Sequence, residues 1–150
     1  MEKKDSKWAA EMGTRWPGLR HGATVLIVED EEMVSKLVQL LLVLEGFNVL
    51  EAESESEAVE MATGFRGVID LLLADVRLKE GTGPGVARTL ANRFPDLKTA
   101  YMSGYPREEL IRQGHLRETD AFLPKPFDVA AFRGLIRGRF AQEASCSPAP

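Results

Sequence analysis

From Thr24 onward the chain alternates between short apolar runs and longer stretches whose apolar residues recur at helical spacing. TVLIV (24–28) reads as a buried strand. EMVSKLVQLLLVLEG follows, with Val34, Leu37, Leu41 and Leu44 predicting a helix with one apolar stripe and Gly46 supplying the left-handed stop. FNVLEA predicts a second strand. SESEAVEMATG opens on Ser54 with Glu57 three residues on, the spacing of a capping box, and ends at Gly64. IDLLLAD predicts a third strand, apolar on both faces. TGPGVARTLANRF predicts a helix capped by Thr82, with Pro84 in its first turn and Pro95 beyond its end. The glycines of TGPG cost up to about 1 kcal/mol each relative to alanine, so this helix start is expected to be loose. KTAYMSG predicts a fourth strand, PREELIRQG a short helix and AFLPK a fifth strand. DVAAFRGLIRGRF predicts a last helix, with Phe132, Leu135 and Ile136 inward and Arg133, Arg137 and Arg139 outward.

Strands alternating with helices imply an α/β fold: a doubly wound, five-stranded parallel sheet covered on both faces. Right-handed crossovers leave few topologies, and the order 2-1-3-4-5 suits this size. Ligands of such sheets sit beyond the carboxyl ends of the strands. At that edge the sequence places Glu29 and Asp30 after strand 1, Asp75 at the end of strand 3, Ser103 at the end of strand 4 and Lys125 at the end of strand 5.

Composition narrows the classes. The chain has 150 residues, enough for one domain with a single core. Its formal net charge of -4 does not indicate a generic nucleic-acid surface. One cysteine, Cys146, excludes an intramolecular disulfide and fits a reducing compartment. No run approaches the ~20 apolar residues of a membrane span, and the N-terminus lacks the apolar segment of a signal peptide. A cytoplasmic location and no membrane partner are therefore expected.

The run Glu29, Asp30, Glu31, Glu32 at the mouth of the core requires compensation, unless the acids all point to water. Two carboxylates about 4 Å apart repel by roughly 4 kcal/mol at an effective dielectric of about 20. A divalent cation among them removes that cost. Oxygen donors beside an aspartate suit Mg²⁺, which joins carboxylates to phosphate groups. Zinc is not indicated, because neither His21 nor His115 has a companion histidine at ligand spacing. Glu31 and Glu32 are expected only to favour the positive N-terminus of the first helix. EGTGPG lacks the Lys-Ser/Thr ending of a phosphate-cradling loop.

VLIVEDE, LLLADVRL, AYMSGY and FLPKPF, in this order, resemble the response-regulator receiver domain of two-component signalling. The resemblance covers roughly Thr24 to Phe140 and implies the flavodoxin-like (βα)5 fold. It implies that Asp75 is the phosphoacceptor, attacking a phosphoryl group held on a histidine of a partner kinase. It further implies that Glu29, Asp30, Asp75 and the backbone carbonyl of Arg77 serve Mg²⁺, with Asp30 as a direct ligand and Glu29 acting through water. Lys125 would pair with the acceptor and then with phosphate. Ser103 would move its hydroxyl onto the phosphoryl group, and Phe122 takes the aromatic switch position. A cis Lys125-Pro126 bond is implied as well. Glu29 departs from the commoner Asp, Phe122 lacks a tyrosine hydroxyl, and Arg77 sets a bulky cation where it could slow or guide water attack.

The expected organisation is a leader or linker over 1–22, a receiver over 23–141 and a disordered tail over 142–150. Trp8, Met12 and Trp16 recur at helical spacing, which leaves partner docking by the leader as a second reading. No effector segment is expected, so the module would act through a downstream protein partner after accepting phosphate from a sensor histidine kinase or histidine phosphotransfer protein. It would be a phosphoacceptor and not an enzyme acting on a separate substrate, either free-standing or the receiver of a hybrid kinase. The alternative is a phosphorylation-independent interaction module of the same fold. Two further rivals fit less well. A metal-dependent phosphatase would need an acid where Arg77 stands, and flavin phosphate would meet Glu29 and Asp30.

Overall fold

The computed structural model describes residues 22–145. Trp8, Met12, Trp16, His21 and Cys146 lie outside the described residues. The elements run β1 (Thr24–Val28), α1 (Glu32–Leu44), β2 (Asn48–Ala52), α2 (Glu55–Gly64), β3 (Leu71–Asp75), α3 (Gly83–Ala91), β4 (Lys98–Ser103), α4 (Arg107–Arg112), β5 (Ala121–Pro124) and α5 (Val129–Ser145). The strands form one sheet in the order β2-β1-β3-β4-β5, as the alternation predicts. All neighbours are parallel, with Val28 opposite Ala74 and Asp75 opposite Met102.

Alternate side chains of the strands build two cores. Val25, Ile27, Leu71, Leu73 and Met102 pack with Val38 and Leu42 of α1 and Phe132 and Ile136 of α5. Leu26, Val28, Leu72 and Ala74 face Ala58 and Ala62 of α2, Val86 and Leu90 of α3 and Leu110 of α4. Apolar residues on both faces make β1 and β3 central strands, and their carboxyl ends open on the site described below.

The buried face of α1 differs from the expected stripe. Ser35, Val38 and Leu42 are buried and Val34 and Leu41 are partly so, whereas Leu37 and Leu44 are exposed. Polar Ser35 faces inward because its hydroxyl donates to Glu51 Oε1 at 2.9 Å. Gly46 stops the helix with φ +94. Its N–H donates to the Val43 carbonyl and that of Phe47 to Leu42, so two of the last-turn carbonyls are satisfied. Ser54 caps α2 by accepting from the Glu57 N–H at 3.1 Å. The last helix runs to Ser145, past the expected end at Phe140. Arg133 of that helix reaches back to buried Glu45, with 2.7 Å from Nε to Oε1.

The start of α3 is tightly built, contrary to the looseness expected of its glycines. Thr82 Oγ1 accepts from the Gly85 N–H at 3.0 Å. A Cβ on Gly83 would lie 2.4 Å from the Asp75 carbonyl oxygen, and one on Gly85 would lie 2.5 Å from Glu55 Oε1. These positions are glycine because neighbours occupy the space a side chain would fill.

Candidate functional site

Each strand end delivers one functional group to the same rim. Glu29 follows β1, and its N–H donates to the Ala52 carbonyl at 3.0 Å, which carries the β1–β2 pairing one residue further. Its side chain points inward and the residue is 1% exposed. Asp75 ends β3 and Ser103 ends β4, both buried. Lys125 follows β5, where its N–H donates to the Ser103 carbonyl at 2.8 Å and the Lys125-Pro126 bond is cis, as expected.

Lys125 Nζ is the hub. It donates to Glu29 Oε1 at 2.6 Å and Asp75 Oδ2 at 2.8 Å, and lies 3.4 Å from Glu31 Oε1. Glu31 is thus a third carboxylate around the ammonium, a position beyond the helix-terminus role expected of it. Asp30 turns a different way: its Oδ2 accepts the Lys79 N–H at 2.6 Å, tying β1 to the loop after β3. One carboxylate oxygen from each of Glu29, Asp30 and Asp75 lies within 4.8 Å of the others, a spacing that could hold a metal ion.

This donor set fits a hard divalent cation. It is all oxygen, with no sulfur or imidazole. Glu29 Oε2 is buried and makes no hydrogen bond to protein, so it has an acceptor to spare. Burial, followed by the neighbouring Asp75 carboxylate, pushes the Glu29 carboxyl up from 4.5 to about 8 against the opposing pull of Lys125. Burial draws the Lys125 ammonium down, but its hydrogen bonds and charge attraction to Asp75 and Glu29 outweigh it and lift the group from 10.5 to about 12. One ammonium therefore serves several acids, and burial favours the protonated form of Glu29.

The loops after β3 and β4 meet above these groups. The Arg77 N–H reaches Asp75 Oδ1 at 3.3 Å, and its guanidinium sits 4.9 Å from the centroid of the Tyr105 ring. The Tyr105 N–H in turn donates to Ser103 Oγ at 3.0 Å. Tyr105 carries no periodic signal in the sequence; only its place two residues after Ser103 could have marked it. A cavity of about 510 Å³ opens here, polar at Asp30, Asp75, Arg77, Ser103 and Lys125 and apolar at Val34, Leu37, Pro126 and Phe127. Glu29 lies behind Lys125 and borders a separate cleft of about 450 Å³ with Glu32, Glu51, Glu53 and Glu57. Phe122 is away from the carboxylates: half-buried in β5 opposite Tyr101, it packs with the core beneath α2, α3 and α4. His115 is not brought to the site. Among the described residues no helix is long and apolar enough to cross a membrane.

Known proteins resemble this chain in sequence and in fold. Residues 25–137 match the response regulator receiver domain. The chain is 37% identical over 111 residues to the sensor kinase CckA of Brucella abortus, covering 74% of this chain but 12% of that kinase. It is 31% identical over 119 residues to the polar-differentiation response regulator DivK of Brucella anthropi, covering 76% of this chain and 93% of DivK. Among solved structures, the receiver domain of the hybrid histidine kinase CckA superposes with a TM-score of 0.66 at 29% identity, over 79% of this chain and 99% of that one. A response regulator receiver protein of Sinorhizobium medicae gives 0.69 at 26% identity, over 80% and 95%. A match over most of its length, a sheet of order 2-1-3-4-5 and acids gathered at one rim agree: the chain belongs to the response regulator receiver domain family of two-component signalling.

Proposed function

We propose that this chain accepts a phosphoryl group on Asp75 from a histidine of a sensor kinase or phosphotransfer protein, in a reaction that depends on Mg²⁺. The observation that carries this reading is the convergence on Asp75: an ammonium 2.8 Å from its Oδ2, with Glu29 and Asp30 carboxylates within 4.8 Å, at the edge of an open cavity. A buried carboxylate so placed is held in one orientation and keeps access to solvent on one side only.

The Asp75 carboxylate attacks phosphorus as the bond from phosphorus to the histidine nitrogen breaks. An acyl phosphate forms, and the imidazole leaves with the electron pair of the broken bond. Lys125 holds the acceptor beforehand and pairs with phosphate oxygen afterwards, a motion its long stem permits. Glu29, Asp30, Asp75 and the Arg77 carbonyl would hold Mg²⁺, which supplies charge neutralisation on the transferring oxygens. Ser103 turns its hydroxyl from Tyr105 toward a phosphoryl oxygen, which frees the Tyr105 N–H and reshapes the loop after β4. Phe122 repacks against that loop, and the altered surface is what a downstream protein partner reads.

An exposed apolar stripe supports a docking face for the phosphodonor on α1. Met33, Leu37, Leu40 and Leu44 line the outside of α1, with Met33 87% exposed, and recur at alternating spacings of four and three. That is the seam spacing of helix packing against helix. The stripe is continuous with Val34, Pro126 and Phe127 at the cavity, so a docked helix could present its histidine to Asp75.

Incubation with acetyl phosphate and Mg²⁺, followed by intact-mass measurement, tests the assignment. One added phosphoryl group is expected on the wild type and none on Asp75→Asn. A wild type that never gains mass, with or without a kinase donor, would instead leave an interaction module that works without phosphorylation.

A further inference from the structure

Glu55 lies outside the carboxylate site, yet the loop after β3 is built around it. It is the first residue of α2, and its side chain crosses to the start of α3. There Oε1 accepts the Thr82 N–H at 3.0 Å. Its own N–H donates to the Glu80 carbonyl at 3.1 Å, and the neighbouring Ser56 hydroxyl bonds the Glu80 carboxylate. The carboxylate rests in a recess floored by glycine. A Cβ on Gly81 would stand 2.4 Å from Glu55 Cβ, and one on Gly85 would stand 2.5 Å from Oε1. Gly81 also takes φ +91, which side chains rarely adopt. Two glycines thus leave room for one acid, and that acid sits at the positive end of the α3 dipole, where it takes the Thr82 N–H.

The anchored loop is the one that touches the functional acids. Residues 76–82 are closed by bonds from the Leu78 N–H to the Gly81 carbonyl and from the Gly83 N–H to the Val76 carbonyl. Within this closed loop the Lys79 N–H holds Asp30 Oδ2 at 2.6 Å and the Arg77 N–H reaches Asp75 Oδ1. An unbroken path of hydrogen-bonded backbone therefore joins the Glu55 carboxylate to Asp30.

We propose that Glu55 is a positioning residue for the phosphoacceptor site: by filling the Gly81/Gly85 recess it fixes the loop after β3, so that Lys79 holds Asp30 in its ligating orientation. The inference rests on the reading of Asp30 and Asp75 as Mg²⁺ ligands. Partners that orient metal ligands typically change affinity by about 10- to 100-fold when removed.

The test uses the full chain as wild type, Glu55→Ala, Glu55→Gln, Gly85→Ala and the double variant Glu55→Ala/Gly85→Ala. Amide exchange is read at Thr82 and Lys79 without metal, and Mg²⁺ affinity by calorimetry. Glu55→Ala is expected to speed exchange at both amides and to weaken Mg²⁺ binding about tenfold. Glu55→Gln keeps an acceptor for Thr82 and is expected to retain most of the affinity. Gly85→Ala should weaken binding in the wild type, where its methyl meets Oε1, and add nothing once Glu55 is gone. Unchanged exchange at Lys79 in Glu55→Ala, or strictly additive effects of the two substitutions, would overturn the proposal. A wild type that binds no Mg²⁺ would count against the function proposed above, while exchange at Lys79 would still report whether Glu55 holds the loop.

Discussion

Lys125 Nζ stands 2.6 Å from Glu29 Oε1, although 96 residues separate the two in sequence. The pair lies at the back of the rim, with Asp75 completing it from the side. Breaking such a buried pair leaves carboxylates without a counter-charge. Lys125→Ala is expected to lower unfolding free energy in chelator by on the order of 3 kcal/mol. Mg²⁺ should restore part of that loss, since a cation among the same acids takes over the neutralising role. Urea unfolding with and without Mg²⁺ measures both. Equal losses in the two conditions would mean that the ion and the ammonium do not serve the same carboxylates.

Glu29 is expected to make the stability of the metal-free protein depend on pH. Its carboxyl is raised from 4.5 to about 8 in the fold, by burial first and Asp75 second. A raised group binds its proton more tightly folded than unfolded, so its stabilising contribution is complete below pH 4.5 and is lost as pH rises through about 8. Thermal melting in chelator should therefore fall between pH 5 and pH 8 more steeply for wild type than for Glu29→Gln. Mg²⁺ affinity should move the opposite way, rising with pH, because ligation displaces the proton. A wild type and a Gln variant with parallel melting profiles would contradict this account.

The Arg77 guanidinium over the Tyr105 ring bridges two loops across the mouth of the cavity. An exposed contact of this kind contributes only about 0.5–1 kcal/mol, so stability should barely change when it is removed. Its effect is expected on the lifetime of the acyl phosphate, because the bridge narrows the approach of water to Asp75. Arg77→Ala and Tyr105→Ala should each shorten that lifetime severalfold, and the double variant should do no more than either. Following the mass of the phosphorylated protein after removal of donor gives the three lifetimes. A lifetime that lengthens in Tyr105→Ala would show that the ring does not shield the site.

Sequence pattern sufficed where a single period dominates, and failed where partners are distant. IDLLLAD and TVLIV are apolar on both faces, so their central place in the sheet and the meeting of Asp30 with Asp75 follow from alternation alone. In α1, apolar residues surround the helix from Met33 to Leu44, and periodicity cannot choose among faces. What chooses is Glu51, which gives buried Ser35 a partner, and Arg133, which gives one to buried Glu45 from 88 residues away. The glycines of TGPG read as weakness because helix propensity is local. The Glu55 carboxylate that excludes a side chain at Gly85 arrives from another helix, and the Asp75 carbonyl that excludes one at Gly83 comes from β3. Tyr105 and Glu31 were illegible for the same reason, since their roles are defined only by where Arg77 and Lys125 come to lie.

On the proposed reading, the exposed stripe on α1 separates chemistry at Asp75 from recognition of its donor. Leu40 and Leu44 are 55% and 50% exposed and lie along the helix away from the carboxylates. Replacing them by glutamate removes no core contact, so stability should stay within about 0.5 kcal/mol of wild type. A small donor such as acetyl phosphate needs only the cavity and should label Leu40→Glu/Leu44→Glu at the wild-type rate. A helix that carries a phosphohistidine needs the stripe as well, and desolvating two carboxylates against its apolar seam is unfavourable. Transfer from a histidine donor should therefore slow by at least tenfold in the double variant while small-molecule labelling is unchanged. The comparison is internal to one protein, so a general loss of competence at Asp75 would appear in both assays and be recognised as such. If transfer from the histidine donor proceeds at the wild-type rate, the donor docks elsewhere and this face of α1 serves another contact.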